Sequence, residues 1–356
     1  MASIQRRRGP NVVGIFGILQ PFIDAVKLLT KEHIFPNKSN IYLFWIGPIM
    51  LFIISIFGWI FIPFNFNNFY YDFSYGLLYF LAFSSVSVIG LFISGWASNS
   101  RYSALSIQRS VAQFISYELI LTISIFPIIL LVGSLNFIEI VEWQSNSSWF
   151  IFLMWPFAYL FFIASLAETN RTPFDLVEAE AELVAGYNTE YSSVFFIFFM
   201  FAEYSSILLM SSVFSLLFLG GWTFFSFNHE LIFAIKITFI ASLFIFIRAT
   251  QPRFRFDQLM NLSWKKLLPL SVGTLIIYIY LYYCLMGTSY LKSFLNLLNN
   301  ILYFLLPISK NDITLIFIFF NWFFVLFFPF LSFVINFVEV GLNPMLIAIY
   351  LNIKID

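Results

Sequence analysis

Six carboxylates crowd into one stretch of this chain. Residues 167–191, AETNRTPFDLVEAEAELVAGYNTEY, carry Glu168, Asp175, Glu178, Glu180, Glu182 and Glu190 against a single base, Arg171. A solvated charge run mixes its acids with Lys and Ser, whereas these are interleaved with Leu, Val, Ala and Phe. Glu178 and Glu182 stand at i, i+4, on one face if the segment is helical. Carboxylates crowded in low-dielectric surroundings cannot all ionise, so the cluster is expected to hold exchangeable protons. Two further acids, Glu118 in QFISYELILT and Glu203 in FMFAEYSSIL, and one base, Lys236 in FAIKITF, interrupt apolar runs. A side chain ionised at mid-bilayer costs about 2.5–3.5 kcal/mol on insertion scales, so each needs a function or a partner. For Glu118 and Glu203, close to the acidic loop, the expectation is a proton or ion pathway. For Lys236, simple pairing with a neighbour or reach to the interface stands level with a functional role.

Other chemistries are poorly served. The single cysteine, Cys284, lies in an apolar stretch, and His33 and His229 fall in different loops, so zinc or an iron–sulfur cluster held by this chain alone is not expected. No G-x-G-x-x-G and no P-loop lysine is present, so no nucleotide or flavin site can be read. With eighteen acids against eighteen bases, the net charge gives no bias toward nucleic acid.

The elements that position these acids must sit in lipid. The chain is 61% hydrophobic and 10% charged, where a soluble domain carries about a quarter charged residues. Apolar runs near 41–63, 75–96, 112–134, 149–167, 192–219, 231–249, 267–286 and 313–338 are each long enough to cross about 30 Å of hydrocarbon. Only helices or closed barrels satisfy the backbone there, and these runs are too long for barrel strands. The expected fold is all-α, a polytopic transmembrane bundle of about eight spanning helices. Ahead of it, Ile15, Ile18, Leu19, Phe22, Val26 and Leu29 recur at helical spacing against Gln20, Asp24, Lys27 and Lys31. That pattern predicts an amphipathic helix in the interface, bent at Pro21. A similar interfacial segment is expected at 293–306.

Successive loops alternate sides, and sorting them places fifteen of the eighteen bases on one face. By the positive-inside rule this is the cytoplasmic side or, in a mitochondrion, the matrix side. MASIQRRRGP lacks the apolar core of a cleavable signal.

Residue chemistry alone does not separate a proton channel from a docking subunit. The stretches RRRGPNVVGIFGILQPFIDAVKLLTKE, SGWASNSRYSAL, RSVAQFISYE, AETNRTPFDLVEAEAELVAGYNTEY, MFAEY and PRFRFDQLM, in order over about residues 5–286, resemble the NADH dehydrogenase subunit 1 family, the quinone-channel subunits of respiratory complex I. The resemblance implies a membrane subunit of a proton-pumping NADH:ubiquinone oxidoreductase in the mitochondrial inner membrane. Ubiquinone would be its substrate, while NADH, FMN and iron–sulfur clusters would sit on partner subunits. Gln20, Asp24, Ala25 and Lys27 would line the quinone entrance. Arg109, Arg171, Arg253 and Arg255 would surround the chamber or dock the peripheral arm. Glu118, Glu168, Asp175, Glu178, Glu180, Glu182, Glu190 and Glu203 would form the acidic route. Related subunits anchor membrane-bound hydrogenases and are the main competing reading. A stand-alone transporter would be expected to show internal repeats, and none is seen.

Three regions are expected: 1–40 as the quinone-entrance segment, 41–286 as a family-like membrane domain of seven spans, and 287–356 as an extension with one further span. Family members place a spanning helix before the R-x-G-P-N segment, and here only MASIQ precedes Arg6. Two arrangements stay open. The 313–338 helix fills or packs beside that position, with Glu339 standing in for a lost glutamate, or a separate short chain supplies the helix.

Overall fold

The computed structural model describes residues 2, 4–65, 72–176, 186–224 and 227–287. The expected interfacial segment 293–306, the 313–338 span with Glu339, and Glu178, Glu180 and Glu182 lie outside the described residues.

The chain enters through α1 (Gln20–Thr30), an amphipathic helix with no buried residue. Pro21 stands at its start instead of bending it, the position where a missing N–H costs nothing. Then come α2 (Ile41–Phe57), α3 (Gly76–Ser98), α4 (Arg101–Val132) and α5 (Phe137–Asn146). They are followed by α6 (Phe150–Leu153), α7 (Trp155–Glu168), α8 (Val194–Phe218) and α9 (Glu230–Thr250). Last are α10 (Phe256–Asn261), a π-helical turn at Leu262–Leu267, and α11 (Leu268–Gly287). A two-residue hairpin, β1 (Thr223–Phe224) with β2 (Phe227–Asn228), precedes α9.

Among the described residues, six helices are long and apolar enough to span: Ile41–Phe61, Gly76–Ser98, Arg101–Val132, Val194–Phe218, Glu230–Thr250 and Phe256–Ile279. The run expected as one span at 149–167 is broken at Met154, and Pro156 opens the new helix α7. Its 14 residues rise only about 21 Å. Helix α4 starts eleven residues before the expected 112, because its first turns, RYSALSIQRSV, are too polar to register as a span yet are helical.

The chain divides into two units, Met1–Leu275 and Ile276–Asp356. In the first, α2 packs on α3 and α8, α4 on α3 and α7, and α9 on α8. Without a hydrophobic drive between helices in lipid, small residues let backbones close up. A Cβ added at Gly47 of α2 would stand 2.7 Å from the Ser94 Cα of α3, and one at Gly95 would collide with the Ile107 side chain of α4. Buried serines, among them Ser94, Ser106, Ser110 and Ser124, donate to carbonyls three residues back, which satisfies them inside the bundle. The α3–α4 corner follows from WASNSR. Asn99 takes the left-handed conformation that ends α3, and the Ser100 hydroxyl accepts from the Ser103 N–H to begin α4.

Candidate functional site

The acidic loop begins where α7 ends. Asn170, with φ 48°, supplies the left-handed residue that closes the helix, and the Arg171 N–H donates to the Leu166 carbonyl. The chain then turns, with the Phe174 N–H donating to the Arg171 carbonyl at 2.8 Å. Neighbours tie this turn down from two sides. The Phe254 N–H reaches the Pro173 carbonyl at 3.0 Å, and the Gln113 amide of α4 donates to the carbonyls of Ala167 and Phe174.

The turn presents two buried charges to two different partners. Arg171, 4% exposed, points into the bundle, where its guanidinium lies 3.3 Å from the Glu203 carboxylate of α8. The same guanidinium sits 4.8 Å from the centre of the Tyr204 ring. Asp175, 3% exposed, pairs at 3.3 Å with Arg253, whose side chain stays 43% exposed. The cationic and acidic residues expected to play separate parts therefore meet in two ion pairs.

Between α2, α3, α7 and α8 lies a cavity of about 100 Å³ reached by both Glu168 and Glu203. Ser55, Ser84, Ser87 and Ser206 line it among Leu, Ile and Phe side chains. Ser84 hydrogen-bonds the Glu168 carboxyl, and Glu118 of α4 is close enough to repel it. Two of the expected acids, Glu118 and Glu168, thus act on each other from different helices, and a third, Glu203, lines the same cavity as Glu168. A hydroxyl-lined passage with carboxylates at intervals can relay protons in an apolar bundle, because each group both accepts and donates in its neutral form.

Glu190 is elsewhere. It borders a second pocket with Lys31, Asn188, Thr189 and Ser192, between the end of α1 and the segment before α8. That segment is anchored by Tyr191, which stacks on Phe44 at 4.0 Å and donates to the Ser94 carbonyl at 2.7 Å. Burial pushes the Tyr191 phenol up, so it remains a donor. His33 contacts the Ser193 hydroxyl, and the Ile34 N–H donates to Ser192 at 3.1 Å.

On α1, Gln20 donates to Asp24 at 3.0 Å, Ala25 is half-buried and Lys27 is exposed. The helix packs against α8. Arg109 of α4 lies 5.8 Å from the centre of the Phe256 ring, and Arg255 precedes α10 as its N-cap. Lys236 resolves as a fastener: its ammonium donates to the carbonyls of Leu219, Gly221 and Thr223 at 2.6, 2.9 and 2.6 Å and lies 4.8 Å from the centre of the Trp149 ring. Among the described residues, no group of three or more His, Cys, Asp or Glu side chains is placed to hold a metal.

The family model described as NADH dehydrogenase matches residues 1–279. The NADH-ubiquinone oxidoreductase chain 1 of Cyanidium caldarium is 51% identical over 284 residues, covering 78% of this chain and 82% of its own length. That of Chondrus crispus is 48% identical over 281 residues, covering 77% and 86%. A bacterial NADH-quinone oxidoreductase subunit, from Rickettsia africae (strain ESF-5), is 50% identical over 278 residues, covering 76% and 82%.

Proposed function

The chain belongs to the NADH dehydrogenase family as subunit 1 of NADH:quinone oxidoreductase, and from that premise we propose that it couples quinone reduction to proton movement. It is a multi-pass membrane subunit of this oxidoreductase and works with the other subunits of the complex. With the peripheral subunits it encloses the ubiquinone chamber, whose entrance runs along α1 past Gln20, Asp24, Ala25 and Lys27. NADH, FMN and iron–sulfur clusters sit on those partners, which deliver electrons to the quinone from outside this chain. The basic loops face the matrix side of the mitochondrial inner membrane, where Arg109, Arg253 and Arg255 border the docking face.

The observation that carries the reading is the cavity shared by Glu168 and Glu203. Charge that develops on a reduced quinone acts on fixed ionisable groups nearby, and the nearest mobile response in a low-dielectric bundle is a proton. The Arg171–Glu203 pair gives that response a direction. Polarisation at the Arg171 turn weakens the attraction holding Glu203 charged, so Glu203 takes up a proton; it comes along the serine-lined cavity from the Glu168–Glu118 pair, whose mutual repulsion keeps a proton on one of the two carboxyls. Asp175, and with it Glu178, Glu180 and Glu182 of the same acidic stretch, belong to this route in the proposal, as does Glu190, which stands beside Lys31.

The test is substitution in the assembled complex. Glu168→Gln and Glu203→Gln, each made singly, lower NADH:quinone turnover at least about tenfold. NADH oxidation by a water-soluble acceptor that bypasses quinone is retained. Wild-type quinone turnover in both variants would contradict the proposal.

A further inference from the structure

The turn bearing Glu168 and Arg171 owes its shape to a side chain outside the acidic loop. Gln113 lies fully buried in α4, and its one NH2 group donates to the carbonyl of Ala167 at 2.8 Å and to that of Phe174 at 2.9 Å. These carbonyls sit at the two ends of an eight-residue stretch, so a single amide draws the stretch closed against α4. Inside the closed stretch are Glu168, which faces the cavity, and Arg171, which reaches Glu203. Five residues further along α4 is Glu118, the carboxylate that acts on Glu168.

We propose that Gln113 is the positioning residue of the proton route, holding the Glu168–Arg171 turn at a fixed distance from Glu118 and Glu203. The inference rests on the proton-coupling role given to those acids above. The chemistry explains why an amide is needed. Two carbonyls that both accept require two N–H donors on one short planar group. An ionised Glu in its place offers only acceptors, and a Met of similar shape offers neither. Gln113 touches no substrate and carries no proton; it acts by fixing the turn.

Gln113→Met and Gln113→Glu, studied in the assembled complex alone and together with Glu203→Gln, test this. Gln113→Met lowers the turnover of quinone reduction about tenfold and leaves the quinone KM unchanged, because the entrance along α1 is untouched. Gln113→Glu recovers activity as pH falls, since only its protonated carboxyl can donate to one of the carbonyls, and a packing defect alone would give no such profile. Added to Glu203→Gln, Gln113→Met costs no more than about a further twofold, as expected when both act through one unit. Losses that multiply, or wild-type turnover in Gln113→Met, would overturn the proposal. If Gln113→Met does not accumulate, the near-isosteric Gln113→Glu decides: a pH profile parallel to wild type overturns it. Silence of Glu203→Gln by itself would instead count against the proton-coupling role.

Discussion

Arg171 and Glu203 face each other at 3.3 Å inside the bundle, one on the turn after α7 and the other within α8, with the Tyr204 ring lying against the guanidinium. The pair joins two segments more than thirty residues apart in sequence. Taking one partner from a buried pair leaves an uncompensated charge, at a cost of about 3–5 kcal/mol. Arg171→Leu is therefore expected to deplete the assembled complex on native gels. Arg171→Leu combined with Glu203→Gln should assemble better than Arg171→Leu alone, though without restoring quinone turnover.

The second pair predicts an asymmetry. Arg253 is 43% exposed and can turn to water if its partner is lost, while Asp175 is 3% exposed and cannot. Arg253→Ala, which takes a cationic partner from the buried carboxylate, should reduce assembly more than Asp175→Asn, which takes an acidic partner from the accessible guanidinium. Equal losses in a thermal-stability series would argue against burial as the cause.

Lys236 gives a prediction of the opposite kind, stability without coupling. Its three carbonyl acceptors close the chain between α8 and α9. Lys236→Met leaves buried acceptors unpaired at about 1–3 kcal/mol each and should lower the melting temperature of the complex. Protons moved per quinone reduced should stay at the wild-type value in the complexes that assemble. A changed proton ratio with normal melting would place Lys236 on the route instead.

Tyr191 carries a pH prediction. A phenol raised above its ordinary value of about 10 favours the fold fully at lower pH, and that contribution is lost only as pH rises through the raised value. Between pH 6 and about pH 9 the stability lost in Tyr191→Phe should be constant, about 0.5–1.5 kcal/mol for the bond to Ser94. Thermal melts across that range check it, and a loss that grows or shrinks with pH would contradict it.

The spanning helices were legible because a lipid-crossing run must be continuously apolar, and α2, α3, α8 and α9 fall close to where hydropathy places them. The start of α4 was not, since Arg101–Val111 is polar yet helical through its Ser100 cap and its packing on α3. For the candidate site, residue type marked Glu118 and Glu203 as acids needing a reason in lipid, and Glu168 as one of a crowded acidic loop. It did not pair Arg171 with Glu203 or Asp175 with Arg253, because contact across helices depends on rotation that composition does not encode. Gln113 stayed hidden as one polar residue in an amphipathic stretch, and the partners of Lys236 stayed hidden because backbone carbonyls have no letter in a sequence. Sequence proximity also did not give the pocket: Glu190 shares the acidic stretch with Glu168 but borders a different one.

The most direct measurement is the number of protons moved per quinone reduced by the whole complex in sealed liposomes, comparing wild type with the double variant Glu168→Gln and Glu203→Gln. The proposed route predicts that residual quinone reduction in the variant moves fewer protons per turnover than wild type. An unchanged proton count at wild-type turnover would show that protons do not pass through the cavity these two residues share.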